Sequence, residues 1–292
     1  MINPSQIVIL IVTYNPSHNF IENSVYLSRY AYIIVDNSDM LDNNIATELK
    51  DNQNIILIQN KANLGIAKAL NIGCEKALEL GYHYVITMDQ DSKVTDEIIT
   101  SLLNYYDKMK LQQNISIVSP THQVQHKTLA NRNFIQDSTA ESINSIFTMT
   151  SGNLVILSTW QQLGGFREDL FIDMVDIEFY IRAMLSGFMV LTLPNVVMQH
   201  NLGSLEVRKL FGKNVSVLNH SPIRKYYQTR NILWLISNYY TRNKEVGKLF
   251  KVWLNIVIGV VLFEQNKLVK LKYIIWGLRD FIFGKLGKLD EQ

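Results

Sequence analysis

The stretch "HYVITMDQD" (residues 83–91) places an apolar run directly before two aspartates, Asp89 and Asp91, which flank Gln90. A short run rich in β-branched and aromatic residues predicts a buried strand. The Asp-x-Asp pair alone is weak evidence for a site, because 14 aspartates in 292 residues give roughly 0.7 such pairs by chance. The pair becomes informative only if the surrounding chain places it at the end of a strand in a ligand-binding sheet.

Three segments before this stretch have the same construction, an apolar run that ends in polar residues. They are "QIVILIVTYN" (6–15), "YIIVDNSD" (32–39) and "NIILIQN" (54–60), and a helical pattern covers Ile66 to Leu80. Strands that alternate with helices predict an α/β fold with a mainly parallel sheet. In such sheets ligands bind beyond the carboxyl ends of the strands, so we expect the polar ends of all four strands to meet at one crevice.

The next part of the chain continues the pattern less regularly. Residues 121–150 are polar and predict a loop-rich excursion over the sheet. The segment "FTMTSGNLVILSTW" (147–160) predicts another strand, with Gly152 at a bulge or a position of close approach. A helix is then expected from about Met174 to Ser186, ended by Gly187.

Composition favours a folded protein of a reducing compartment. Of the 292 residues, 47% are hydrophobic and 18% are charged, which is enough apolar sequence for a sizeable core. The single cysteine, Cys74, lies among apolar neighbours and is predicted to be a core residue. No basic segment followed by a long apolar stretch marks the N-terminus, so we expect no secretory signal.

Charge and hydropathy set the end of the chain apart. Residues 1–203 hold 12 Lys and Arg against 20 Asp and Glu, whereas residues 204–292 hold 16 against 6. From Ile232 onward the pattern is helical, aromatic and basic, and the longest uncharged run, Val252 to Phe263, is shorter than the roughly 20 residues that span a bilayer. Basic amphipathic helices of this kind predict contact with an anionic membrane surface, or else packing on the preceding part of the chain or between subunits.

Eight short motifs, taken in their order along the chain, resemble glycosyltransferase family 2. They are "IVTYN", "IVDNSD", "NLGIAKALNIG", "MDQDS", "SGNLV", "GGFREDLFIDMVDIEFYIR", "MQH" and "RKYYQTRN". The resemblance covers roughly residues 6–232 and, within the family, is to bacterial rhamnosyltransferase-like members. It implies a GT-A type, Rossmann-like α/β catalytic domain over residues 1–231, followed by a C-terminal α-helical region over residues 232–292 for membrane association or oligomerisation.

The resemblance implies a nucleotide-sugar donor site at the strand ends. Asp36 corresponds to the acid that accepts the N3–H of a uracil or thymine ring, although Asp36 and Asn37 also suit an Asx turn. Gly65 begins a helix whose N-terminus suits a phosphate, with Asn63 as its cap and with Lys68 either at that phosphate or simply exposed. The expected donor-side residues are Thr13, Tyr14, Asn15, Asp36, Asn37, Asn63, Gly65, Lys68, Asp89, Gln90 and Asp91.

A divalent metal, Mg²⁺ or Mn²⁺, is also implied, because such ions bind one or two carboxylates together with substrate phosphates. In extended backbone Asp89 and Asp91 would project to the same side of the strand. By resemblance, Asp91 contacts the metal directly, and Asp89 contacts the ribose or supports the metal. His200 in "MQH" matches a metal-binding histidine of the family, with a structural role as the alternative.

The resemblance also assigns an acceptor side, in which Asp176 matches the catalytic base. Asp173 is expected to cap the helix, Glu178 to assist the acceptor or the local network, and Arg182 to pair with Glu178. The alternative for these acids is that they only complement the helix dipole. Arg224 and Arg230 are candidates for phosphate contacts, because guanidinium groups suit phosphate. The expected acceptor-side residues are Gly152, Asn153, Asp173, Glu178, Arg182, Arg224 and Arg230.

Together these features predict an inverting, metal-dependent glycosyltransferase that transfers L-rhamnose from dTDP-rhamnose to a lipid-linked surface-polysaccharide intermediate. The donor is expected to be a dTDP- or UDP-sugar, and the place of action the cytoplasmic face of the cell membrane. The choice of rhamnose rests on resemblance only. A nucleotidyltransferase and a non-catalytic nucleotide-sugar-binding adaptor are the alternatives. The basic region has no nucleic-acid motif, so no nucleic acid is expected as a partner, and self-association is left open.

Overall fold

The structure is a computed structural model of the chain and describes residues 2–124, 140–200, 206–210, 213–217 and 219–289. The chain divides into two compact units. The sheet unit consists of Met1–Phe166 and Arg182–Asn201, and the helical unit consists of Arg167–Ile181 and Leu202–Gln292. The helical unit therefore combines a short internal segment with the C-terminal third of the chain.

The sheet unit is built on a mixed, mainly parallel sheet. Its strands in the described residues are β1 (Ile7–Thr13), β2 (Ala31–Asp36), β3 (Ile55–Gln59), β4 (Tyr84–Asp89), β5 (Ile115–Val124), β6 (Ile143–Asn144), β7 (Asn153–Ile156) and β8 (Met189–His200). Their order in space is β3-β2-β1-β4-β7-β5-β8-β6. Strands β1 to β4 are mutually parallel, β5 is parallel to β8, and β7 and β6 run antiparallel to their neighbours.

Helices flank the sheet and bury its central strands. They are α1 (Phe20–Ser24), α2 (Asn43–Asp51), α3 (Ile66–Glu79), α4 (Asp96–Met109) and α5 (Leu157–Gln162). All seven residues of β1 are buried, as expected for a central parallel strand with both faces covered. Cys74 in α3 is fully buried, as predicted, and this burial raises the pKa of its thiol.

The predicted α/β fold is confirmed, and the first four strands lie where the apolar runs placed them. The prediction of one strand over residues 147–160 is wrong in extent, because β7 has only four residues and α5 follows it directly. The Leu157 N–H donates to the His83 carbonyl at 3.1 Å, where the antiparallel pairing of β7 with β4 ends. The predicted loop over residues 121–150 also contains the end of β5 and the short β6, and its residues 125–139 lie outside the described part.

The helical unit contains the C-terminal helices that the sequence predicted. Its elements are the hairpin β9 (Glu206–Leu210) and β10 (Lys213–Val217), then α7 (Pro222–Tyr239), α8 (Lys248–Leu262) and α9 (Lys267–Ile282). The helix α6 (Val175–Leu185) begins in its internal segment. The predicted boundary at residue 231 falls inside α7, so the change in composition does not mark a break between elements. Among the described residues, no helix is both long enough and apolar enough to cross a bilayer.

Helices α7 and α9 pack closely around a glycine. A Cβ added to Gly277 in α9 would lie 2.5 Å from the Tyr226 carbonyl oxygen and 3.1 Å from the Thr229 Cβ, both in α7. No real Cβ tolerates the first distance, so the backbone of α7 would have to move. Tyr226, Tyr227 and Phe171 form the aromatic cluster beside this contact.

Gly277→Ala is therefore expected to destabilise the protein by about 2 kcal/mol, as overpacking of a tight contact does. Gly259→Ala is the matched control in α8, because among the described residues outside the helix backbone only the Glu264 Oε1, at 3.8 Å, lies within 4 Å of its added Cβ. There the better helix propensity of alanine should stabilise the protein by roughly 0.5–1 kcal/mol. Urea unfolding of both variants measures the difference, and equal midpoints would show that the helices do not pack this closely.

Candidate active site

The parallel register brings the polar ends of the first four strands together. Thr13 at the end of β1 lies beside Asp36 at the end of β2, and Val12 lies beside Asp89 at the end of β4. The Asn60 N–H, just after β3, donates to the Asp36 carbonyl at 2.9 Å. The expected crevice at the carboxyl edge of the sheet is thus lined by residues from four neighbouring strands.

Asp36 is held in one orientation at this edge. Its side chain is 1% exposed, and its Oδ1 accepts the hydroxyls of Thr13 and Ser38, each at 2.8 Å. The Ser38 N–H donates to Oδ2 at 3.3 Å, which forms the Asx turn that was the alternative to ligand binding. A carboxylate has about four lone-pair sites, so Oδ2 keeps acceptor capacity, but at 1% exposure a base N–H reaches it only if the groups that cover Asp36 move aside. Sequence reasoning missed Ser38, although a serine two residues after an aspartate is a turn signal.

Asn37 links three strand ends to the start of α3. Its Nδ2 donates to the Gly65 carbonyl at 3.0 Å, and its Oδ1 accepts from the Asn60 Nδ2 at 2.7 Å. Its N–H donates to the Thr13 carbonyl at 2.8 Å. Because the side chain is 3% exposed and both amide atoms are used, Asn37 positions the Gly65 turn and does not present its amide to a ligand.

The N-terminus of α3 is formed as expected at Gly65, but Asn63 does not cap it. Gly65 is the N-cap residue, with φ 86°, and no side chain in the described residues caps the helix by a hydrogen bond. The Asn63 Oδ1 accepts from the N–H of Gly65 itself at 3.0 Å, whereas a cap normally binds the N–H groups two or three residues further on, here those of Ala67 and Lys68. The first-turn N–H groups and the positive dipole end therefore still suit an anion, and Lys68 lies half-buried in that turn.

Gln90 fixes the loop that follows β1. Its Oε1 accepts from the Tyr14 N–H at 2.8 Å, its Nε2 lies 3.4 Å from the Tyr14 carbonyl, and its own carbonyl accepts from the Ser24 hydroxyl. Asn15, at φ 46°, donates its N–H to the Ser38 Oγ at 2.8 Å. The Tyr14 side chain is 48% exposed, so its ring is the part of this loop that is available for stacking on a planar ligand.

Asp89 and Asp91 do not lie on one extended strand. Strand β4 ends at Asp89, whose carbonyl accepts from the Ser92 N–H at 3.2 Å, so Asp91 sits in a turn. The expectation that both carboxylates project to one side by strand alternation is therefore wrong. Asp89 is half-buried, with its N–H 3.2 Å from the Ser151 Oγ, and Asp91 is exposed.

This pair of carboxylates fits a metal that takes most of its other ligands from elsewhere. No cluster of three or more His, Cys, Asp or Glu side chains poised for a metal is found in the described part of the chain. Mg²⁺ keeps several waters and needs only one or two carboxylates beside substrate phosphates, so two aspartates at a strand end are a sufficient protein contribution. The predicted third ligand, His200, ends β8, and its side chain lies outside the described residues.

Gly152, Asn153 and Arg182, three of the expected acceptor-side residues, lie within the sheet unit. Gly152 has φ 81°, and an added Cβ would lie 2.5 Å from the Met198 Sδ, so it is the position of close approach that the sequence indicated. Asn153 is 1% exposed in β7. Arg182 donates to the carbonyls of Leu163 and Gly165, the latter at 2.7 Å, and so stabilises the glycine turn.

The helical unit carries the acidic segment with the candidate base. Asp176 lies half-buried in the first turn of α6, and its Oδ1 accepts the Ile177 N–H at 2.8 Å. Asp173 is not the expected cap, because its carboxylate binds the Arg224 Nε and Nη2 at 3.1 and 2.5 Å. Its own backbone is left-handed, with φ 62°. Arg224, expected at a phosphate, is thereby paired with protein while its side chain stays 37% exposed.

Glu178 and Arg230 are structural, which corrects two acceptor-side expectations. Glu178 is 0% exposed and accepts the Tyr239 hydroxyl at 2.7 Å, so of its two expected roles only the local network is possible. Arg230 is also 0% exposed, and its guanidinium donates to the carbonyls of Asp169, Leu170 and Gly287. A fully buried guanidinium bound to carbonyls cannot reach a phosphate.

Asn231 holds the backbone that leads to Asp176. Its Nδ2 lies 2.8–2.9 Å from the carbonyls of Leu170, Ile172 and Asp173, and its Oδ1 accepts from the Arg230 Nε. In this segment Phe171, Asp173 and Met174 all have positive φ. L-residues adopt this conformation at a cost, so it persists because the buried amide fixes the carbonyls.

One histidine beside this segment has a strongly shifted pKa. Burial lowers the pKa of His220 to about 4, and the nearby charges of Arg224 and Lys225 act in the same direction. The imidazole is therefore neutral at pH 7, and its Nδ1 lies 3.3 Å from the Arg224 Nη1, which acts as the donor. The Arg224 guanidinium thus binds two groups, the neutral His220 imidazole through Nη1 and the Asp173 carboxylate through Nε and Nη2.

The fold is that of GT-A glycosyltransferases. TarS of S. aureus superposes with a TM-score of 0.61 at 17% identity, over 95% of this chain and 48% of that chain. A crystal structure of GalNAc-T7 with UDP, GalNAc and Mn²⁺ superposes with a TM-score of 0.58 at 14% identity, over 95% of this chain and 56% of the other. The chain therefore spans about half the length of these structural relatives.

The sequence identifies the family within that fold. Residues 8–173 match the model of glycosyl transferase family 2, which covers more than half of the chain. The chain therefore belongs to glycosyltransferase family 2 and is a glycosyltransferase, which decides against the nucleotidyltransferase and the adaptor. It is also 28% identical over 243 residues, 80% of either chain, to a Shigella flexneri protein named dTDP-rhamnosyl transferase RfbF.

Proposed function

We propose that the protein is an inverting, metal-dependent rhamnosyltransferase that uses dTDP-rhamnose and a lipid-linked surface-polysaccharide intermediate as its two substrates. The similarity to RfbF along 80% of both chains is the observation that carries the choice of donor. A GT-A sheet with an oriented acid, an open helix N-terminus and two aspartates at the end of β4 supports a nucleotide-sugar donor.

The donor would be recognised through its base and its diphosphate. Asp36 would accept the N3–H of thymine on Oδ2, because its Oδ1 is already used by two hydroxyls. The exposed ring of Tyr14 offers a stacking surface, and the α3 N-terminus at Gly65 offers N–H groups to a phosphate. These contacts position the sugar for attack, which is a large part of what such a site contributes to the rate.

Asp176 would act as the general base. Its carboxylate takes the proton of the acceptor hydroxyl while the acceptor oxygen bonds to the anomeric carbon. The bond from that carbon to the diphosphate oxygen breaks with its electron pair on the leaving dTDP, so a single displacement inverts the anomeric centre. Asp176 is partly exposed, as a group that must meet a substrate hydroxyl has to be.

Asp89 and Asp91 would hold the divalent metal, Mg²⁺ or Mn²⁺. When bound, the ion supplies positive charge that stabilises the leaving diphosphate. The exposed position of Asp91 in its turn suits direct contact with the ion, and the half-buried Asp89 suits support of the site or of the ribose. His200 remains a candidate third ligand by family resemblance alone.

The exposed surface of α8, α9 and the residues after them would place the protein on the cytoplasmic face of the cell membrane. Residues 251–289 expose six Lys or Arg side chains, whereas the two acids there, Glu264 and Asp280, are each 4% exposed. The same stretch exposes many large apolar side chains, including Leu268 at 84% and Phe283 at 72%. Positive charge beside apolar side chains matches an anionic lipid surface.

Donor binding is expected to raise the unfolding midpoint selectively and with metal. At about 100 times its Kd, dTDP-rhamnose should raise the midpoint by roughly 5 °C in Mn²⁺, with a smaller shift for UDP-GlcNAc or GDP-mannose. EDTA and Asp91→Asn should each remove most of that shift. Asp39→Asn, which changes an exposed acid in the loop after β2, is the matched control and should keep it. An equal midpoint shift in EDTA would contradict the metal site. A larger shift with another nucleotide sugar would show that this sugar, and not dTDP-rhamnose, is the donor.

A further inference from the structure

The end of α9 and the residues that follow it enclose a pocket in the helical unit. Its volume is about 100 Å³. Three cationic side chains and two aromatic rings line it together with one acid, namely Arg279, Lys285, Lys288, Tyr226, Trp276 and Asp280. None of these residues belongs to the donor site or to the acidic segment, so the proposed chemistry leaves the pocket without a role.

The charge of the pocket is positive because its one acid is already neutralised. Asp280 is 4% exposed, its Oδ1 accepts from the Arg279 Nε at 2.8 Å, and its Oδ2 accepts the Tyr226 hydroxyl at 2.8 Å. Lys285 and Lys288 are exposed, and among the described residues no carboxylate lies within ion-pair distance of either. Within the described part of the chain, these two ammonium groups are therefore available to an anion in this pocket.

The backbone that carries these lysines is anchored, although it lies near the end of the chain. The Gly287 N–H donates to the Asp169 carbonyl at 2.6 Å, and the Gly287 carbonyl accepts from the buried Arg230 at 2.7 Å. The Leu289 N–H donates to the Tyr227 hydroxyl at 2.8 Å. Arg230 also binds the carbonyls of Asp169 and Leu170, so the pocket wall and the segment before Asp176 share one buried residue.

An apolar stripe runs along α9 next to the pocket. Leu268, Ile275 and Ile282 are 84%, 63% and 68% exposed, and their spacing of seven residues places them on one face of the helix. Lys272 and Arg279 lie between them on that face. A free nucleotide or phosphate would use only the pocket, whereas a phosphorylated lipid would use the pocket and the stripe together.

We propose that this pocket binds the phosphate or diphosphate headgroup of a lipid-linked acceptor, with the hydrocarbon chain along the exposed face of α9. The inference rests on the proposed function, because it assigns a binding site to the acceptor of the same enzyme. Lys285 and Lys288 supply charge-assisted hydrogen bonds to the phosphate oxygens, and Trp276 packs on the first apolar atoms. Base and acceptor headgroup would then be held by the same unit.

The test compares two double variants of the full-length protein that each lose two positive charges. Lys285→Gln/Lys288→Gln removes the pocket lysines, and Lys251→Gln/Lys267→Gln removes two exposed lysines of α8 and α9 outside the pocket. Three probes are titrated: inorganic pyrophosphate, neutral phosphatidylcholine vesicles with a few per cent polyprenyl diphosphate, and phosphatidylglycerol vesicles of equal surface charge. Urea unfolding confirms that each variant is folded.

The proposal expects the pocket variant to lose about tenfold or more in affinity for pyrophosphate and for the diphosphate-lipid vesicles, and the control variant to lose less than about threefold. Binding of wild-type protein to pyrophosphate alone, without preference for the diphosphate lipid, would overturn the lipid part. Equal losses in both variants, or no preference of the wild type for diphosphate over phosphatidylglycerol vesicles, would overturn the pocket in favour of diffuse attraction to charge. Binding is measured without sugar transfer, so a wrong donor or base would leave this result unchanged.

Discussion

Asp176→Asn is expected to lower kcat for sugar transfer by about 10³-fold while donor affinity stays within about twofold, because positioned general bases contribute about 10²–10⁴-fold to the rate. Asparagine has nearly the size of aspartate but cannot take the proton of the acceptor hydroxyl. The Asp176 Oδ1 accepts the Ile177 N–H, and an amide oxygen can accept the same bond, so the fold of the first turn is kept. Initial rates with purified donor and acceptor, together with donor titration, measure both quantities.

Glu168→Gln is the matched control for this prediction. Glu168 is an exposed acid a few residues earlier in the same unit, and its substitution makes the same change of charge. It should leave kcat within about threefold of wild type, since exposed charges act weakly at a distance. A near wild-type rate for Asp176→Asn would show that another residue is the base. A similar loss of rate in Asp176→Asn and Glu168→Gln would show that the overall charge of the segment matters and not one carboxylate.

The donor side of the site was predictable because it depends on local sequence and on one rule of sheet geometry. An apolar run sets each strand, and in parallel strands the residues after the runs meet at one edge. Asp36 and Asp89 are 53 positions apart in sequence, yet the register places both beside the end of β1. The predictions that were wrong there concern local geometry outside the strands. Asp91 lies in a turn and not on the extended strand, and Asn63 binds the Gly65 N–H and does not cap α3.

The acceptor side was less predictable because polar side chains there are buried by distant parts of the chain. Glu178 meets the Tyr239 hydroxyl from 61 residues away, and Arg230 meets the Leu170 carbonyl from 60 residues away. Sequence shows that a guanidinium or a carboxylate suits a phosphate or an acceptor. Only the packing of α7 shows that these particular groups are fully desolvated and already saturated with partners.

Asn231 is a buried polar residue that we expect to matter for the reaction, and its substitution should lower both the free energy of unfolding and kcat. Asn231→Ala removes the amide donor shared by the Leu170, Ile172 and Asp173 carbonyls, and of these only the Leu170 carbonyl keeps a described side-chain donor, the Arg230 guanidinium. Buried groups that lose a partner cost about 1–3 kcal/mol each, and partial relaxation leaves an expected loss of about 3 kcal/mol in the free energy of unfolding. Phe171, Asp173 and Met174 would then be free to leave their left-handed conformations.

The kinetic consequence follows from where this segment leads. It runs directly into Asp176, and a displacement of about 1 Å in a catalytic group can cost about 10²-fold in rate. We therefore expect Asn231→Ala to lower kcat by about 10²-fold at a temperature where the variant is folded, with donor affinity unchanged. Asn238→Ala is the matched control, because Asn238 is exposed on the same helix and its amide bonds are local, to the Trp234 carbonyl and the Ser237 hydroxyl.

A double variant separates positioning from general loss of structure. If Asn231 acts on the reaction through Asp176, then Asn231→Ala should slow the Asp176→Asn enzyme by less than about threefold, because the group it positions no longer takes a proton. Losses that multiply in the double variant would mean that Asn231 supports some other part of the site. The effects of Asn231 on stability and on the rate are thus distinguished. Asn231→Ala should lower the free energy of unfolding by the same amount in the wild-type and in the Asp176→Asn protein, but it should slow the reaction strongly only in the wild type.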